Sequence, residues 1–325
     1  MNRAFWKDRP VLITGITGFV GSSLANRLVE LGASVVGLVR DEVAQSNFNY
    51  SGLRKRITVV HGCLEDLPLL ERTVNEYGIE VVYHLGAQTI VGTANRSPIS
   101  TFKANMEGTW NLLEACRGKA SLRALVLASS DKAYGSQKRL PYREDFPLHA
   151  QYPYDVSKAC ADLIAQSYFL TYGLPVVITR FANLYGPGDV NFSRIIPDTS
   201  RRVLNGKPPE IRSDGTLERD YLYIDDALDL YFLVAERIDR TKGEAFNGGN
   251  SKPVSVLQLV QTILRVARKT RLKPKILGKG GLPGEIPRQW LDSSKAKRLL
   301  GWEPKVKLEV GLRKTLAWHR KALSR

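Results

Sequence analysis

Tyr154-Asp155-Val156-Ser157-Lys158 sets a phenol and an ammonium four residues apart. On an α-helix that spacing brings both side chains onto one face. An ammonium beside a phenol favours the phenolate and lowers its pKa, so Tyr154 is a candidate general base toward a hydroxyl, with Lys158 as its charge partner. A second cluster, Ser129-Ser130-Asp131-Lys132, closes the apolar run ALVLASS and offers hydroxyl, carboxyl and ammonium groups at consecutive positions. In isolation a Tyr-Lys pair is common on surface helices, and a Ser-Asp-Lys run serves as a polar turn at a strand end. A third group gives both clusters weight. Gly15-Ile16-Thr17-Gly18-Phe19-Val20-Gly21 lies between the strand-like run PVLIT and the helical run FVGSSLANRLVELG. In that context glycine permits a tight turn and close backbone approach, and a pyrophosphate rests at the positive helix N-terminus. Gly15, Thr17, Gly18, Phe19, Val20 and Gly21 are therefore candidates for holding a dinucleotide.

The elements that must position these groups follow from periodicity. PVLIT, SVVGLV, ITVVHG, VVYHLGA and ALVLASS read as strands, interleaved with helical stretches at Phe19–Gly32, Leu67–Tyr77 and Asn105–Cys116. Alternation of this kind predicts an α/β chain with a Rossmann-type, doubly wound parallel sheet. In such a sheet ligands bind at the carboxyl ends of the strands, where the glycine run and Ser129–Lys132 fall. A helix from Tyr154 to Tyr172 and the strand PVVITRF follow. Beyond them Pro and Gly punctuate the chain at 185–189, 206–209 and 278–287, with helices expected near 254–269 and 308–323. The expected organisation is a dinucleotide-binding domain over 1–180 and a smaller α/β substrate-binding lobe over 181–325, some of whose elements return to the sheet. Asp225 and Asp226 open a helical stretch and read as structural, a cap and a first-turn acid.

Val39-Arg40-Asp41 ends the second strand, where an adenosine ribose would lie. A carboxylate there suits the 2′-hydroxyl of NAD, and an arginine suits the 2′-phosphate of NADP. Both are present, and Arg40, which comes first, points to NADP, with NAD as the alternative.

Composition bounds the rest. With 43% hydrophobic and 25% charged residues among 325, the chain can bury a sizeable core. The net charge of +16 is spread along it in short clusters such as Arg54–Arg56 and Arg201–Arg202. No aromatic-interleaved basic stretch accompanies them, so small anionic ligands are expected rather than nucleic acid. Three cysteines without a CxxC pair and four scattered histidines point to reduced thiols and no metal centre. No apolar run reaches the length of a membrane span and no secretory leader is visible, so a cytoplasmic location is expected.

The glycine spacing, the Ser130-Asp131-Lys132 turn and the Tyr154–Lys158 pair together resemble the extended branch of the short-chain dehydrogenase/reductase superfamily, its NAD-dependent epimerase/dehydratase family. FWKDRPVLITGITGFVGSSL, YHLGAQTIV, NMEGTWNLLEACR and DSSKAKRLLGWEP look like the nucleotide-sugar 4,6-dehydratases, those acting on CDP-glucose above all, and the resemblance covers most of the chain. It implies a triad of Ser130, Tyr154 and Lys158. It also implies an acid/base pair in Asp131 and Lys132, where 4-epimerases generally carry small or neutral residues. It puts Leu85 and Ala87 on the cofactor and Gln88, Asn183, Arg194, Arg219 and Arg288 on a nucleotide-diphosphate sugar. Relatives often read Gly-Asp-Ile after the third strand. Gly62-Cys63-Leu64 lacks that carboxylate and leaves only the Leu64 backbone and packing for the adenine. The implied reaction converts an NDP-hexose to an NDP-4-keto-6-deoxyhexose by internal hydride transfer through a bound nicotinamide. NLYGPGD and RDYLYIDDA follow the general pattern of the family, so a 4-epimerase of UDP-glucose or UDP-glucuronate type is the alternative. Relatives also imply a homodimer, for which the helices near Leu112 and Ile164 are apolar enough.

Overall fold

Valine-rich runs too short for helices pair into the central sheet, as β-branched side chains favour when both faces are covered. The computed structural model describes residues 2–279 and 285–323, so residues 280–284 of the Pro- and Gly-punctuated stretch at 278–287 lie outside the described residues. The sheet consists of β1 (Pro10–Thr14), β2 (Ser34–Val39), β3 (Thr58–His61), β4 (Val81–His84), β5 (Ala124–Ala128), β6 (Val176–Phe181) and β7 (Ala245–Gly248), in the order β7-β6-β5-β4-β1-β2-β3. The seven strands run parallel, with β1 registered against both β2 and β4. The strand order reverses between β1 and β4, the point at which open parallel sheets bind ligands.

Two compact units emerge. The first comprises Met1–Gly135, Glu144–Arg180 and Leu228–Phe246, and the second Ser136–Arg143, Phe181–Ala227 and Asn247–Arg325. Residues 228–246 are fastened into the first unit by polar ends of aromatic groups. The Trp6 indole donates to Glu236 at 2.7 Å, and the Tyr83 hydroxyl donates to the Tyr231 carbonyl at 3.2 Å. Its core runs through Leu12, Val36, Leu70, Leu113, Leu125 and Ile178, all buried.

Three helices of the first unit matter for the site: α1 (Phe19–Glu30), α2 (Gly108–Cys116) and α3 (Pro153–Tyr172). A single π-helical turn, Lys103–Glu107, leads into α2, where one continuous helix from Asn105 is expected. Leu112 is fully buried in the core, and Ile164 is partly buried against it.

In the second unit, Val203, Ile211, Val260 and Leu264 form a smaller core. The helix Val256–Val266 starts at a capping box in which Ser255 and Gln258 satisfy each other's backbone N–H groups. Asp225 and Asp226 both lie in the first turn of the helix Ile224–Glu236. Asp226 does more than complement that turn. Its buried carboxylate accepts the backbone N–H groups of Lys305 and Val306, each at 3.0 Å, and its carbonyl accepts the Trp302 indole N–H at 2.9 Å. Removing it orphans two N–H groups in a dry environment. Asp226→Ala is expected to cost about 2–4 kcal/mol in urea unfolding of the full chain, and a loss under about 0.5 kcal/mol refutes this role.

Candidate active site

The glycine loop is built so that side chains are excluded from it. Gly15 has φ +69°, and a Cβ there would sit 2.8 Å from the Gly86 backbone. A Cβ on Gly21 would sit 2.3 Å from the Gly15 carbonyl. α1 begins at Gly18 with no side-chain cap, which leaves the N–H groups of its first turn open to a phosphate. These residues fit a dinucleotide pyrophosphate.

The other cofactor candidates line the neighbouring strand ends. Arg40 and Asp41 follow β2 and pair with each other at 2.6 Å, both mostly exposed. Leu64 follows β3, its side chain in the core and its carbonyl held by Asn111 Nδ2 at 3.1 Å. Leu85, Ala87 and Gln88 follow β4. The Gln88 backbone is clasped by the Asn105 side chain, which accepts its N–H at 2.6 Å and donates to its carbonyl at 3.0 Å.

Beyond β5, Ser130 caps the 3₁₀ turn Asp131–Tyr134, accepting the Lys132 N–H at 3.2 Å and donating to Asp131 Oδ1 at 3.1 Å. The turn packs against α3, which carries Tyr154 and Lys158 in its first two turns. Lys158 is buried, and its ammonium donates to the Ala128 carbonyl at the end of β5. Burial lowers its pKa to about 8, and the Asp162 carboxylate opposes that fall. The five catalytic candidates thus lie in one unit, on one strand end and one helix start. α3 is locked to β6 through Arg180, whose guanidinium grips Asp162 at 2.8 and 3.0 Å and donates to the Tyr134 hydroxyl at 2.9 Å, all buried.

The second unit holds Asn183, Arg194, Arg219 and Arg288. Asn183 donates to the Asp220 carbonyl through both its backbone and its side chain. Arg194 pairs with Asp189 at 2.9 Å. Arg219 is buried, donates to the carbonyls of Glu218 and Pro287, and reaches Glu285 at 3.5 Å. Both Arg194 and Arg219 act electrostatically on the buried Tyr221 phenol, whose pKa burial raises against their pull. Arg288 stands apart. Its register partner is Glu218, which it pairs with at 2.8 Å, and its guanidinium is largely exposed. The residue registered beside Arg219 is Gln289, fully buried, with neither carboxamide atom hydrogen-bonded among the described residues.

The family model described as GDP-mannose 4,6 dehydratase matches residues 12–315. The chain belongs to the GDP-mannose 4,6-dehydratase family. It is 30% identical to a CDP-glucose 4,6-dehydratase of Salmonella typhimurium, over 98% of this chain and 93% of that protein. Among solved structures, it matches a UDP-glucose 4-epimerase of Thermotoga maritima with UDP-glucose (TM-score 0.88, 30% identity, covering 97% of this chain and 99% of the other). It also matches a dTDP-glucose 4,6-dehydratase of Bacillus anthracis in complex with NAD (TM-score 0.86, 28% identity, 96% and 97% covered).

Sequence reasoning passed over Asp155, which follows Tyr154 directly. Its carboxyl is buried, and burial raises its pKa to about 6, with Lys132 opposing and Asp131 reinforcing the rise. The only available signal was an acid between Tyr154 and Lys158, which a helix surface would equally explain. A folded-state pKa above the ordinary value contributes stability at low pH that is lost as pH rises through about 6. Asp155→Asn is therefore expected to raise Tm by about 2 °C above pH 7 and to leave it unchanged near pH 4. A thermal scan at both values checks this, and an equal effect at both overturns it.

Proposed function

We propose that this chain is a nucleotide-sugar 4,6-dehydratase of the cytoplasm, converting an NDP-hexose to an NDP-4-keto-6-deoxyhexose. The observation that carries the reading is the turn Asp131–Tyr134 packed on α3, which sets a carboxyl and an ammonium beside the Ser130, Tyr154 and Lys158 set. Beyond the hydride acceptor, oxidation at C4 needs only a base and its charge partner. Elimination of water needs a further base at C5 and an acid at O6. A 4-epimerase leaves Asp131 and Lys132 without a chemical task. That second reading is favoured by the fold match to the epimerase and by the general family pattern around Asn183 and Arg219.

The loop Gly15–Gly21, with Thr17, Phe19 and Val20, would hold the cofactor pyrophosphate. Arg40 and Asp41 would meet its ribose, with Leu64, Leu85 and Ala87 beside it. A nicotinamide held there would supply reversible hydride transfer between C4 and C6 of the sugar. Arg40 alone suggested NADP. Its engagement with Asp41 and the NAD in the solved dehydratase support NAD instead. Ser130 orients the C4 hydroxyl and Tyr154 takes its proton, with Lys158 stabilising the phenolate. The C4 ketone acidifies C5. Lys132, as the neutral amine, removes the C5 proton while Asp131 protonates the C6 hydroxyl, which departs as water, and the Lys132 ammonium so formed returns a proton to C5 as hydride reaches C6. Gln88, Asn183, Arg194, Arg219 and Arg288 bind the sugar nucleotide, the guanidiniums suiting its diphosphate.

Incubation with CDP-, UDP-, GDP- and dTDP-linked glucose and mannose is expected to yield a product lighter by one water from at least one of them. Inversion at C4 with no loss of water establishes the epimerase instead. Asp131→Asn is expected to slow elimination by about 10²–10⁴-fold while reduced nicotinamide builds up during a single turnover. Tyr154→Phe is expected to prevent that build-up. Dehydration at the normal rate by the Asp131 variant sinks the dehydratase reading.

The same reading includes a homodimer. Leu112 is buried and Ile164 partly so. Trp110 on α2 and Leu163, Leu170 and Tyr172 on α3 are exposed large hydrophobic side chains, Leu170 at 79%. Light scattering is expected to show a dimer at micromolar concentration and a monomer for Leu170→Glu. A monomeric native chain overturns this.

A further inference from the structure

A chain of buried polar side chains runs through the first unit, and its members come from four separate segments of the sequence. Thr14 ends β1 and precedes Gly15. His84 ends β4, Asn105 sits in the π-helical turn, Thr109 lies on α2 and Ser157 on α3. All five are buried.

The contacts fix every hydrogen. Thr109 Oγ1 lies 2.6 Å from the Asn105 carbonyl, which only accepts, so the hydroxyl hydrogen points there. At its 2.9 Å contact with His84 Nε2, Thr109 must then accept, and Nε2 carries a hydrogen. Thr14 Oγ1 accepts the N–H groups of Leu85 at 3.1 Å and Gly86 at 2.9 Å, which uses both its lone pairs. Its hydroxyl therefore donates to His84 Nδ1 at 2.8 Å, and Nδ1 is bare. The direction continues beyond Thr109. Asn105 must present Oδ1 to the Gln88 N–H, which turns its Nδ2 to Ser157 Oγ at 2.8 Å, and Ser157 donates to the Tyr154 carbonyl at 2.7 Å.

We propose that His84 is a positioning residue for Tyr154 and Lys158. Locked as its Nε2–H tautomer by the groups on either side, it bridges Thr14 to Thr109 in a hydrogen-bonded chain that holds the start of α3 in register with the strand ends around the cofactor. An imidazolium would break the chain, because Thr14 would meet a third N–H with no lone pair left. It would also stand beside the Lys158 ammonium, the charged group that acts on it, and Asp162 faces that ammonium from α3. Burial and Lys158 together hold the His84 pKa down at about 3. The π-helical turn supplies the geometry. Its extra residue per turn lets Asn105 clasp the Gln88 backbone while its carbonyl still reaches Thr109. The proposal rests on the functional reading only for the roles of Tyr154 and Lys158, which the dehydratase and the epimerase share.

Two measurements on the cofactor-loaded enzyme test it. Nitrogen NMR of histidine-labelled protein, with His84 assigned by its absence in His84→Gln, is expected to show a protonated Nε2 and a bare Nδ1 from about pH 5.5 to 8.5. Titration in that window, or the opposite tautomer, overturns the proposal. Thr109→Val keeps the side-chain shape and removes both hydrogen bonds. It is expected to slow single-turnover oxidation by about 10–100-fold, to shift the pH profile of that step, and to leave KM for the sugar nucleotide within about twofold. Thr109→Ser restores the rate and the profile. If Thr109→Val lowers only thermal stability and leaves rate and profile in place, the chain is structural and the proposal fails. Tyr154→Phe separates this from failure of the functional reading. Should it oxidise substrate normally, the role of Tyr154 falls and takes the proposal with it. A normal Tyr154→Phe defect beside an unmoved Thr109→Val profile overturns the proposal alone.

Discussion

The first unit is organised around an ammonium ion kept out of water. Lys158 is buried, yet in the proposed reaction it would serve Tyr154 only while it stays charged. Desolvation alone would drive the proton off. The fold answers with the Ala128 carbonyl at the end of β5, the Asp162 carboxylate one helical turn along α3, and a neutral imidazole at His84. Each comes from a different part of the sheet and its covering helices. The ion can survive there only if those elements are packed in one register.

Asp162 in turn cannot be left as an isolated buried charge. Arg180 on β6 grips both its oxygens, and Gln166 donates to one of them at 2.7 Å. Arg180 also reaches the Tyr134 hydroxyl, at the far end of the turn that begins with Asp131. A single buried guanidinium therefore ties the Tyr154–Lys158 helix to the turn bearing Asp131 and Lys132. In the proposed reaction the oxidising set and the acid/base pair are chemically separate. Mechanically the two share one anchor.

The parts legible in the sequence were those whose physics is local. The glycine loop announces itself because the required φ at Gly15 and the contact distance at Gly21 admit no side chain, and because a strand and a helix flank it. Tyr154 and Lys158 are legible because helical spacing alone places them. The chain through Thr14, His84, Thr109, Asn105 and Ser157 left no such trace. Apart from Asn105 and Thr109, its bonded members are 25 to 70 positions apart along the chain, and each is an ordinary polar residue until the sheet closes. The same holds for Asp226, which reads as a first-turn acid but binds a loop some 80 residues away. Gln289 shows the limit most sharply. The eye goes to the arginine before it, yet the strand register puts the carboxamide, not Arg288, beside Arg219. The expected organisation, a first domain over 1–180 with some later elements returning to the sheet, gave no sign that the first unit would omit residues 136–143 or that the returning stretch would be 228–246.

That reclaimed segment has a consequence for how the protein is made. β7, the outermost strand beside β6, is Ala245–Gly248, and residues 228–246 bring Tyr231 and Glu236 to Tyr83 and Trp6. A ribosome that has just finished β6 has released only six strands of the sheet. Trp6 then has no Glu236, and the outer edge of β6 is an unpaired hydrogen-bonding row. The nascent chain must carry that open edge while most of 181–244 is synthesised. It is during translation, rather than in the finished enzyme, that this edge is most open to pairing with another copy of itself.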